Sequence, residues 1–232
     1  MNDKMKSENG FTCIIPFYNE SENLLALLTQ LQKIKNLQEI ICVDDGSTNG
    51  LTQKIRHNFP HVILLRTEFN EGKVSAIRTG LLRSHYDNIF LLDGDIYHFK
   101  PEEFMRGIDF FLDLKLPMLV FRIYTTQAYW DGLLNKYVIF SGTRLLKKDF
   151  LERIIDRCEG YQLEAALNDY FMKQKSTLFW IDTSAINPNK LTKHGFRQGL
   201  MENIRMELSI IRFAGLIRHL GQLSYSKWKK LK

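Results

Sequence analysis

Features typical of secreted and membrane-spanning proteins are missing from this sequence. Its 232 residues include only 3 cysteines and 5 prolines, and the cysteines are too few and too far apart for a disulfide framework. No stretch approaches the roughly 18 uninterrupted apolar residues of a membrane helix, and residues 1–10 are polar with no apolar signal region behind them. We therefore expect a reduced cytoplasmic protein that is neither secreted nor membrane-spanning.

The composition is that of an ordinary globular protein, but the charge is unevenly distributed. Hydrophobic residues make up 44% of the chain and charged residues 25%, which excludes a disordered or collagen-like chain. The net charge is +6, yet residues 190–232 contain 10 Lys and Arg against 2 Glu, so the remaining 22 basic and 24 acidic residues nearly cancel. A basic segment of this kind attracts nucleic acid or an anionic membrane surface. No nucleic-acid-binding motif accompanies it.

Short apolar runs alternate with amphipathic stretches, which is the pattern of a parallel sheet flanked by helices. The runs predicted as strands are residues 11–15, 40–43, 62–65, 89–92, 118–121 and 178–181. The stretches predicted as helices are residues 24–31, 73–82, 101–112, 147–157, 161–174 and 196–220. The expected fold is α/β, with a Rossmann-like, mostly parallel sheet, and ligands bind such sheets at the carboxyl ends of the strands.

The chain is predicted to have three parts. Residues 1–10 form a polar N-terminal segment, residues 11–195 one α/β domain, and residues 196–232 a basic amphipathic C-terminal helix and tail. Apolar residues lie on two sides of this helix, with Arg205 and Arg212 one heptad apart. Such a helix suits a membrane surface or a partner helix. The alternative is a helix that packs back on the domain with its arginines in solvent.

Acidic residues follow several of the predicted strands. The fourth strand ends in Asp93-Gly94-Asp95, where the glycine lets the backbone approach a hard cation closely. An octahedral Mg²⁺ or Mn²⁺ holding a diphosphate suits this pair of carboxylates. The alternative is a loop or capping turn, in which a lone Asp-x-Asp is common.

Two further loops carry residues suited to a nucleotide. Asp44 and Asp45 end the second strand, where carboxylates accept hydrogen bonds from a base or a ribose, although Asp-Asp-Gly-Ser is equally a turn with a helix cap. Lys73 follows Gly72 at a helix start, where its charge and the helix N-terminus favour a phosphate. This is not a Walker A loop, because the upstream glycine and the following Ser or Thr are missing.

Four sequence blocks occur in a specific order and spacing. They are Ile-Ile-Pro-Phe-Tyr-Asn-Glu (14–20), Val-Asp-Asp-Gly-Ser-Thr (43–48), Asn-Glu-Gly-Lys (70–73) with Ala76 and Gly80, and Leu-Leu-Asp-Gly-Asp (91–95). This succession resembles the family 2 glycosyltransferases of GT-A fold, and the resemblance implies a site for a nucleotide-diphosphate sugar. The residues implied in binding that donor are Pro16, Tyr18, Glu20, Asp44, Asp45, Gly72, Lys73, Asp93 and Gly94. Asp93 and Asp95 are implied as metal ligands, with Asp95 central to catalysis.

The second half carries Phe-Ser-Gly-Thr-Arg-Leu-Leu (140–146), Gly-Tyr-Gln-Leu-Glu (160–164) and Asn-Lys-Leu-Thr-Lys (189–193). Their order resembles the dolichyl- and polyprenyl-phosphate sugar synthases of that family, whose arginines and lysines hold an acceptor phosphate. The residues implied in this task are Arg122, Arg144, Lys190 and Lys193. The alternative for each arginine is a surface salt bridge. A histidine common in relatives near the end of the domain has Asn187 at the aligned position, and His194 follows it.

Glu164 is the candidate carboxylate on the acceptor side. If the acceptor is a sugar hydroxyl, inverting transfer needs a base to take its proton as it attacks the anomeric carbon, and Glu164 would be that base. If the acceptor is an ionised phosphate, no base is required and Glu164 would orient Arg144 or a lysine. The alternative is an exposed helix residue, and Asp169 on the same helix is the weaker candidate.

Together these features predict an inverting, metal-dependent glycosyltransferase with a donor of UDP or GDP type. Its acceptor would be membrane-associated, either a polyprenyl phosphate or a glycan of cell-surface polysaccharide biosynthesis. The enzyme would be cytoplasmic and peripheral on the inner face of the cell membrane. The rival prediction is a non-catalytic nucleotide-sugar-binding or membrane-docking module, and a measurement of donor hydrolysis distinguishes the two.

Overall fold

The computed structural model of the chain describes residues 9–125, 139–160, 162–187, 221–222 and 227–231. The basic helix predicted over residues 196–220 lies outside this part, as do Lys190, Lys193 and His194. Within the described ranges, no helix is both long enough and apolar enough to span a bilayer.

A mixed sheet forms the centre of the fold. Its strands are β1 (Phe11–Phe17), β2 (Leu37–Asp44), β3 (Ile63–Arg66), β4 (Asn88–Leu91), β5 (Met118–Thr125), β6 (Arg144–Lys147), β7 (Leu178–Asn187) and β8 (Trp228–Leu231). The 8-stranded sheet has the order β3-β2-β1-β4-β6-β5-β7-β8. Only β6 runs antiparallel to its neighbours in the described sheet, and the other pairs are parallel. The predicted, mostly parallel α/β sheet is therefore confirmed.

Helices cover both faces of the sheet. They are α1 (Asn23–Leu31), α2 (Leu51–Asn58), α3 (Lys73–Arg83), α4 (Pro101–Asp113), α5 (Lys148–Ile155) and α6 (Leu163–Lys173). The start of α4 illustrates the local causes: Pro101 stands in its first turn with Glu102 and Glu103, where a missing N–H costs nothing and acidic charge favours the helix dipole.

The alternation of side chains along β1 divides the core into two layers. Cys13 and Ile15 point into one layer, which also holds the buried faces of α1, α2 and α4. Ile14 points into the other, with the buried faces of α3, α5 and α6. Gly80 allows α3 to pack closely, since a Cβ there would lie 2.6 Å from Cγ2 of Ile14. The central strands are thus buried on both faces, as a parallel sheet requires.

Three elements were not predicted from the sequence. The helix α2 buries only Leu51, Thr52 and Ile55, so it lacks a clear apolar stripe. The strand β6 has 4 residues and begins with an arginine, and β8 exposes two lysines while its backbone pairs with β7. In addition, β7 continues to Asn187, beyond the strand predicted over residues 178–181. Residues 228–231, placed by the sequence pattern in the basic C-terminal segment, form part of the sheet.

Candidate functional site

The loops after β1, β2 and β4 meet at one edge of the sheet. Phe17 pairs with Asp44 and Ile14 pairs with Leu91, so these parallel strands end side by side. Their polar loops therefore face the same region, which is where doubly wound sheets bind ligands. This arrangement brings the predicted donor-side residues to one edge, as the sequence indicates.

Asn19 links the loop after β1 (residues 18–22) to the loop after β2 (residues 45–50) by hydrogen bonds, and the two are called the clasped loops. Its Oδ1 accepts a hydrogen bond from the Thr48 backbone N–H at 2.8 Å, and its own N–H donates to Oγ of Ser47 at 2.8 Å. Asn19 has φ of 50°, a left-handed conformation that asparagine tolerates. Beside these hydrogen bonds, Tyr18 has 45% of its surface exposed. Pro16 and Glu20, on either side of Tyr18 in the sequence, are half-buried.

Asp44 organises the turn between β2 and α2. Its carboxylate is fully buried, accepts a hydrogen bond from the Ser47 N–H at 2.7 Å and another from the Thr52 hydroxyl. Arg66 Nε lies 3.7 Å from the same carboxylate. These contacts fit the turn of the alternative, but Gly50 at the start of α2 provides no side-chain cap. A direct contact of Asp44 with the nucleotide sugar stays a prediction.

Asp45 anchors the loop that leads into α3. Its Oδ1 accepts from the N–H of Glu71 at 2.9 Å and its Oδ2 from the N–H of Gly72 at 2.8 Å. Thr67 adds its hydroxyl to Oδ1 at 3.2 Å. Gly72 has φ of 95°, so the chain turns sharply there and begins α3 with Lys73. Asp45 thus helps to set the position of Lys73, and a contact with the base stays a prediction.

Lys73, Asp93 and Glu164 form one ionic cluster, called here the Lys73 cluster. The ammonium Nζ lies 2.6 Å from Oδ1 of Asp93 and 3.0 Å from Oε1 of Glu164. Burial disfavours the ammonium, but the two carboxylates outweigh this cost and raise the pKa of Lys73 above its usual range. Lys73 therefore joins the predicted donor-side carboxylate to the predicted acceptor-side carboxylate, a contact that the sequence does not reveal.

Gly142 closes the cluster from the β6 side. A Cβ at this position would lie 2.4 Å from Nζ of Lys73 and 2.8 and 2.9 Å from the Asp93 carboxylate oxygens. Only glycine lets the main chain approach this closely without moving Lys73. The sequence predicts no role for Gly142, although it stands in the Ser-Gly-Thr-Arg stretch of the second half.

Arg144 lies inside the protein. Its guanidinium has no exposed surface and donates from Nε to the Ser141 carbonyl at 3.1 Å, from Nη2 to the Ile139 carbonyl at 3.3 Å and from Nη1 to Oδ1 of Asn168 at 3.4 Å. Burial lowers the pKa of Arg144 to about 10, against the opposing charges of Glu164 and Asp93. This buried environment is not the surface salt bridge given as the alternative, and a contact of Arg144 with an acceptor phosphate stays a prediction. Arg144 holds the segment that carries Gly142.

Arg122 lies on β5 and is paired. Its Nη1 is 3.5 Å from Oδ1 of Asp182, and its guanidinium lies 4.4 Å from the centre of the Tyr124 ring. This is the salt-bridge alternative, with 16% of the side chain exposed. A role of Arg122 at an acceptor phosphate stays a prediction, as do those of Lys190 and Lys193.

The chemistry of Asp93 and Asp95 fits a divalent cation. In the described ranges, no group of three or more His, Cys, Asp or Glu side chains is arranged for a metal, so this pair supplies at most two carboxylates. Mg²⁺ commonly takes one or two carboxylates together with substrate phosphates. Between them, Gly94 is buried against β1, since a Cβ there would lie 3.3 Å from Cβ of Phe17.

Asn187 ends β7, next to a residue that pairs with the segment after Asp95. Its neighbour Ile186 exchanges two backbone hydrogen bonds with Tyr97, at 2.8 and 2.9 Å, and Tyr97 follows Asp95 by two positions. The side-chain oxygen of Asn187 is buried and has no hydrogen-bond partner in the part of the chain that the structure describes. The position that the sequence resemblance aligns with a histidine thus carries a buried amide oxygen next to the residue paired with Tyr97.

The sheet and its acidic carboxyl edge define a GT-A domain. The family model described as Glycosyl transferase family 2 matches residues 12–166, a stretch that contains the clasped loops, the Lys73 cluster and Gly142. The chain therefore belongs to glycosyl transferase family 2.

Solved structures share the fold. Glucosyl-3-phosphoglycerate synthase from Mycobacterium tuberculosis, in complex with Mn²⁺, uridine diphosphate and glucosyl-3-phosphoglycerate, has a TM-score of 0.68 and 14% identity, covering 91% of this chain and 82% of that chain. A mannosyltransferase from Pyrobaculum calidifontis, in complex with GDP-Man and Mn²⁺, has a TM-score of 0.67 and 14% identity, covering 94% of this chain and 70% of that chain. These likenesses confirm the predicted GT-A fold.

Similarity in sequence extends to a polyprenyl-phosphate sugar transferase. Undecaprenyl-phosphate 4-deoxy-4-formamido-L-arabinose transferase from Pectobacterium atrosepticum is 35% identical over 105 residues. The match covers 42% of this chain and 32% of that transferase. The predicted resemblance to polyprenyl-phosphate sugar transferases is confirmed over this stretch.

Proposed function

We propose that this chain catalyses metal-dependent, inverting transfer of a sugar from a nucleotide-diphosphate donor to a membrane-associated acceptor. The observation that carries the proposal is the Lys73 cluster, in which one ammonium contacts both Asp93 and Glu164. Family membership supports sugar transfer, and the name of the Pectobacterium relative supports a polyprenyl phosphate as acceptor. A glycan is the other acceptor class that the proposal covers.

The donor side consists of the clasped loops and the Asp93-Gly94-Asp95 turn. Tyr18 offers an exposed ring to a nucleobase, and the loop fixed by Asp45 brings the start of α3 and Lys73 to the diphosphate. Asp93 and Asp95 would hold Mg²⁺ or Mn²⁺. When bound, the cation would neutralise the negative charge that develops on the leaving diphosphate.

The acceptor side begins at Glu164. Its side chain is 10% exposed and its carboxylate accepts from Lys73 at 3.0 Å, so its orientation is fixed before the substrate arrives. Toward a sugar hydroxyl, Glu164 takes the proton as the oxygen attacks the anomeric carbon. Toward an ionised phosphate no proton is moved, and Glu164 then keeps Lys73 directed at the donor.

Turnover with a panel of donors tests the proposal. UDP-glucose, UDP-N-acetylglucosamine and GDP-mannose are each incubated with Mn²⁺ or EDTA, with and without undecaprenyl phosphate in detergent micelles. We expect turnover of one nucleotide class that EDTA abolishes. Nucleotide binding without any turnover would instead favour the non-catalytic binding module.

Two substitutions, each with a matched control, locate the chemistry. Asp93→Asn should lower kcat by about a hundredfold or more, because the charge that would hold the cation and that pairs with Lys73 is lost. Asp109→Asn, on the exposed face of α4, should have no effect. Glu164→Gln is compared with Asp169→Asn on the same helix, whose partner is Lys173 at 2.7 Å.

The acceptor class follows from the Glu164→Gln result. A general base contributes about 10²–10⁴-fold, so a loss of this size indicates a hydroxyl acceptor. A loss well below a hundredfold, with transfer to undecaprenyl phosphate retained, indicates a phosphate acceptor, because Glu164 then only orients Lys73. If Asp93→Asn retains full turnover, the proposed donor site is wrong.

We also propose peripheral attachment to an anionic membrane. The 10 basic residues against 2 acidic ones in residues 190–232 motivate it, and such attachment would bring a lipid-linked acceptor to the site.

A further inference from the structure

Gln222 is a polar side chain buried completely within the described part of the chain. Its Nε2 donates to the Ala165 carbonyl at 3.0 Å, and its Oε1 accepts from Nδ2 of Asn168 at 3.5 Å. An amide is costly to bury unless it is hydrogen-bonded. These contacts therefore specify where the C-terminal part of the chain meets α6.

The two partners of Gln222 both lead to the Lys73 cluster. Ala165 directly follows Glu164 in the first turn of α6. Asn168 donates from Nδ2 to the Ile139 carbonyl at 2.8 Å and accepts from Arg144 at 3.4 Å. The amide of Gln222 thus contacts the helical turn that bears the acceptor-side carboxylate. It also contacts Asn168, which holds the loop of residues 139–143 ahead of β6.

That loop carries Gly142 onto Lys73 and Asp93. Arg144 and Asn168 are fully buried and hold the carbonyls of Ile139 and Ser141. A continuous buried polar network therefore runs from Gln222 to the main chain that covers the cluster. Such networks fix a geometry when every member has its partners.

We propose that Gln222 is a positioning residue of the transfer site, which sets Glu164 and the Gly142 loop from behind; this rests on the function proposed above. Within the described ranges, the hydrogen bonds of Gln222 go to Ala165 and Asn168, which are not proposed reacting groups. It acts because transfer requires the acceptor, Glu164 and the donor phosphates in one geometry, and small displacements of such groups reduce kcat strongly.

Gln222→Met tests this directly. Methionine has nearly the same length and fills the space, but it leaves the Ala165 and Asn168 groups without their partner. The matched control is Lys227→Met, which removes another C-terminal hydrogen bond, from Lys227 Nζ to the Lys175 carbonyl at 2.7 Å, beyond the far end of α6.

Hydrogen exchange of the full-length protein, followed by mass spectrometry, gives a readout that needs no substrate. We expect Gln222→Met to speed exchange roughly tenfold in peptides covering residues 139–146 and 163–170, because local opening becomes easier there. Residues 37–44, in β2, should keep their wild-type exchange in both variants. Gln222→Asn keeps an amide on a side chain that is one carbon shorter, so it should speed exchange in the same two regions to a smaller extent. This variant replaces Gln222→Met if the methionine variant fails to fold.

Steady-state donor hydrolysis separates positioning from general stability. At a temperature where all variants are folded by circular dichroism, Gln222→Met should lower kcat about tenfold and leave the donor KM unchanged. Lys227→Met should change neither. Unchanged exchange at residues 139–146, equal losses in both variants, or a raised KM with unchanged kcat would each overturn the proposal. If wild-type protein turns over no donor, the proposed function fails, while the exchange pattern still decides whether Gln222 supports these segments.

Discussion

At the residue scale, Lys73 offsets part of the negative charge of the site. Two carboxylates in a partly buried site repel each other unless a cation lies between them, and the Lys73 ammonium contacts Asp93 and Glu164 at 2.6 and 3.0 Å. A diphosphate or a divalent cation that enters the site must share these partners. The proposed donor and acceptor sides are therefore electrostatically coupled through Lys73 before any ligand binds.

Gly142→Ala should disturb this balance with little effect on the fold. The added Cβ would overlap the Lys73 ammonium, which lies 2.4 Å away, and the flexible lysine side chain can move aside. We expect kcat for donor turnover to fall by about a factor of 10–100 because charged groups are misplaced, with a nearly unchanged melting temperature. The measurement combines steady-state kinetics with thermal unfolding.

Gly221→Ala provides the control for a Gly-to-Ala change, since a Cβ there meets no atom of the described residues within 4 Å. It should behave as wild type. Full turnover of Gly142→Ala would contradict the role given to this close approach.

Sequence reasoning identified Asp93, Lys73 and Glu164 as candidate site residues but not their mutual contact. Lys73 and Glu164 are 91 positions apart, and no local pattern predicts which side chains converge over such a distance. The same holds for Gln222, whose amide is 57 positions from its carbonyl partner. For Arg144, the motif in the sequence suggests a contact with a phosphate. In the fold, its guanidinium donates hydrogen bonds to the main-chain carbonyls of Ser141 and Ile139.

At the scale of elements, local patterns predicted what local forces determine. The strands β1 to β5 follow apolar runs, and α3 and α4 begin where glycine and proline indicate. In contrast, β6 and β8 are 4 residues each and form because neighbouring backbones offer hydrogen-bond partners. Strands of this kind depend on tertiary context more than on side-chain pattern.

Asp45→Asn should weaken the junction between β2 and α3. The buried carboxylate accepts the N–H groups of Glu71 and Gly72, and an amide presents a donor to one of them. We expect a loss of about 1–3 kcal/mol in the free energy of unfolding, the usual cost of a buried group without its partner. Chemical denaturation measures it.

Glu68→Gln is the control in the same loop, because Glu68 is exposed. Its unfolding free energy should stay within about 0.5 kcal/mol of wild type. Equal stabilities of the two variants would show that Asp45 does not anchor the loop.

At the scale of the whole molecule, charge is separated along the chain. Residues 190–232 hold 10 basic and 2 acidic residues, while the remaining 22 basic and 24 acidic residues nearly cancel. An anionic surface would therefore orient the molecule as well as attract it.

Sedimentation with vesicles tests the proposed attachment. We expect more full-length protein to sediment with phosphatidylglycerol vesicles than with phosphatidylcholine vesicles. Each basic residue near such a surface contributes about 1 kcal/mol, so Arg205→Gln combined with Arg212→Gln should weaken binding at least tenfold.

The control removes the same charge elsewhere. Lys33→Gln with Lys35→Gln, at exposed positions between α1 and β2, should sediment as wild type. Equal weakening by both pairs would mean that net charge, and not the basic segment, drives binding.

The pairing of β8 with β7 makes self-association of the protein sensitive to proteolysis near its C-terminal strand. Residues 178–181 find their parallel partners in residues 228–231, at the outer end of the described sheet. A protease that cut ahead of residue 227 would strip these partners away and leave an open strand edge, which readily pairs with other chains. Loss of a few residues would then favour self-association of the protein. In the intact chain, the exposed Lys229 and Lys230 place positive charge on the edge strand, which opposes pairing with another chain.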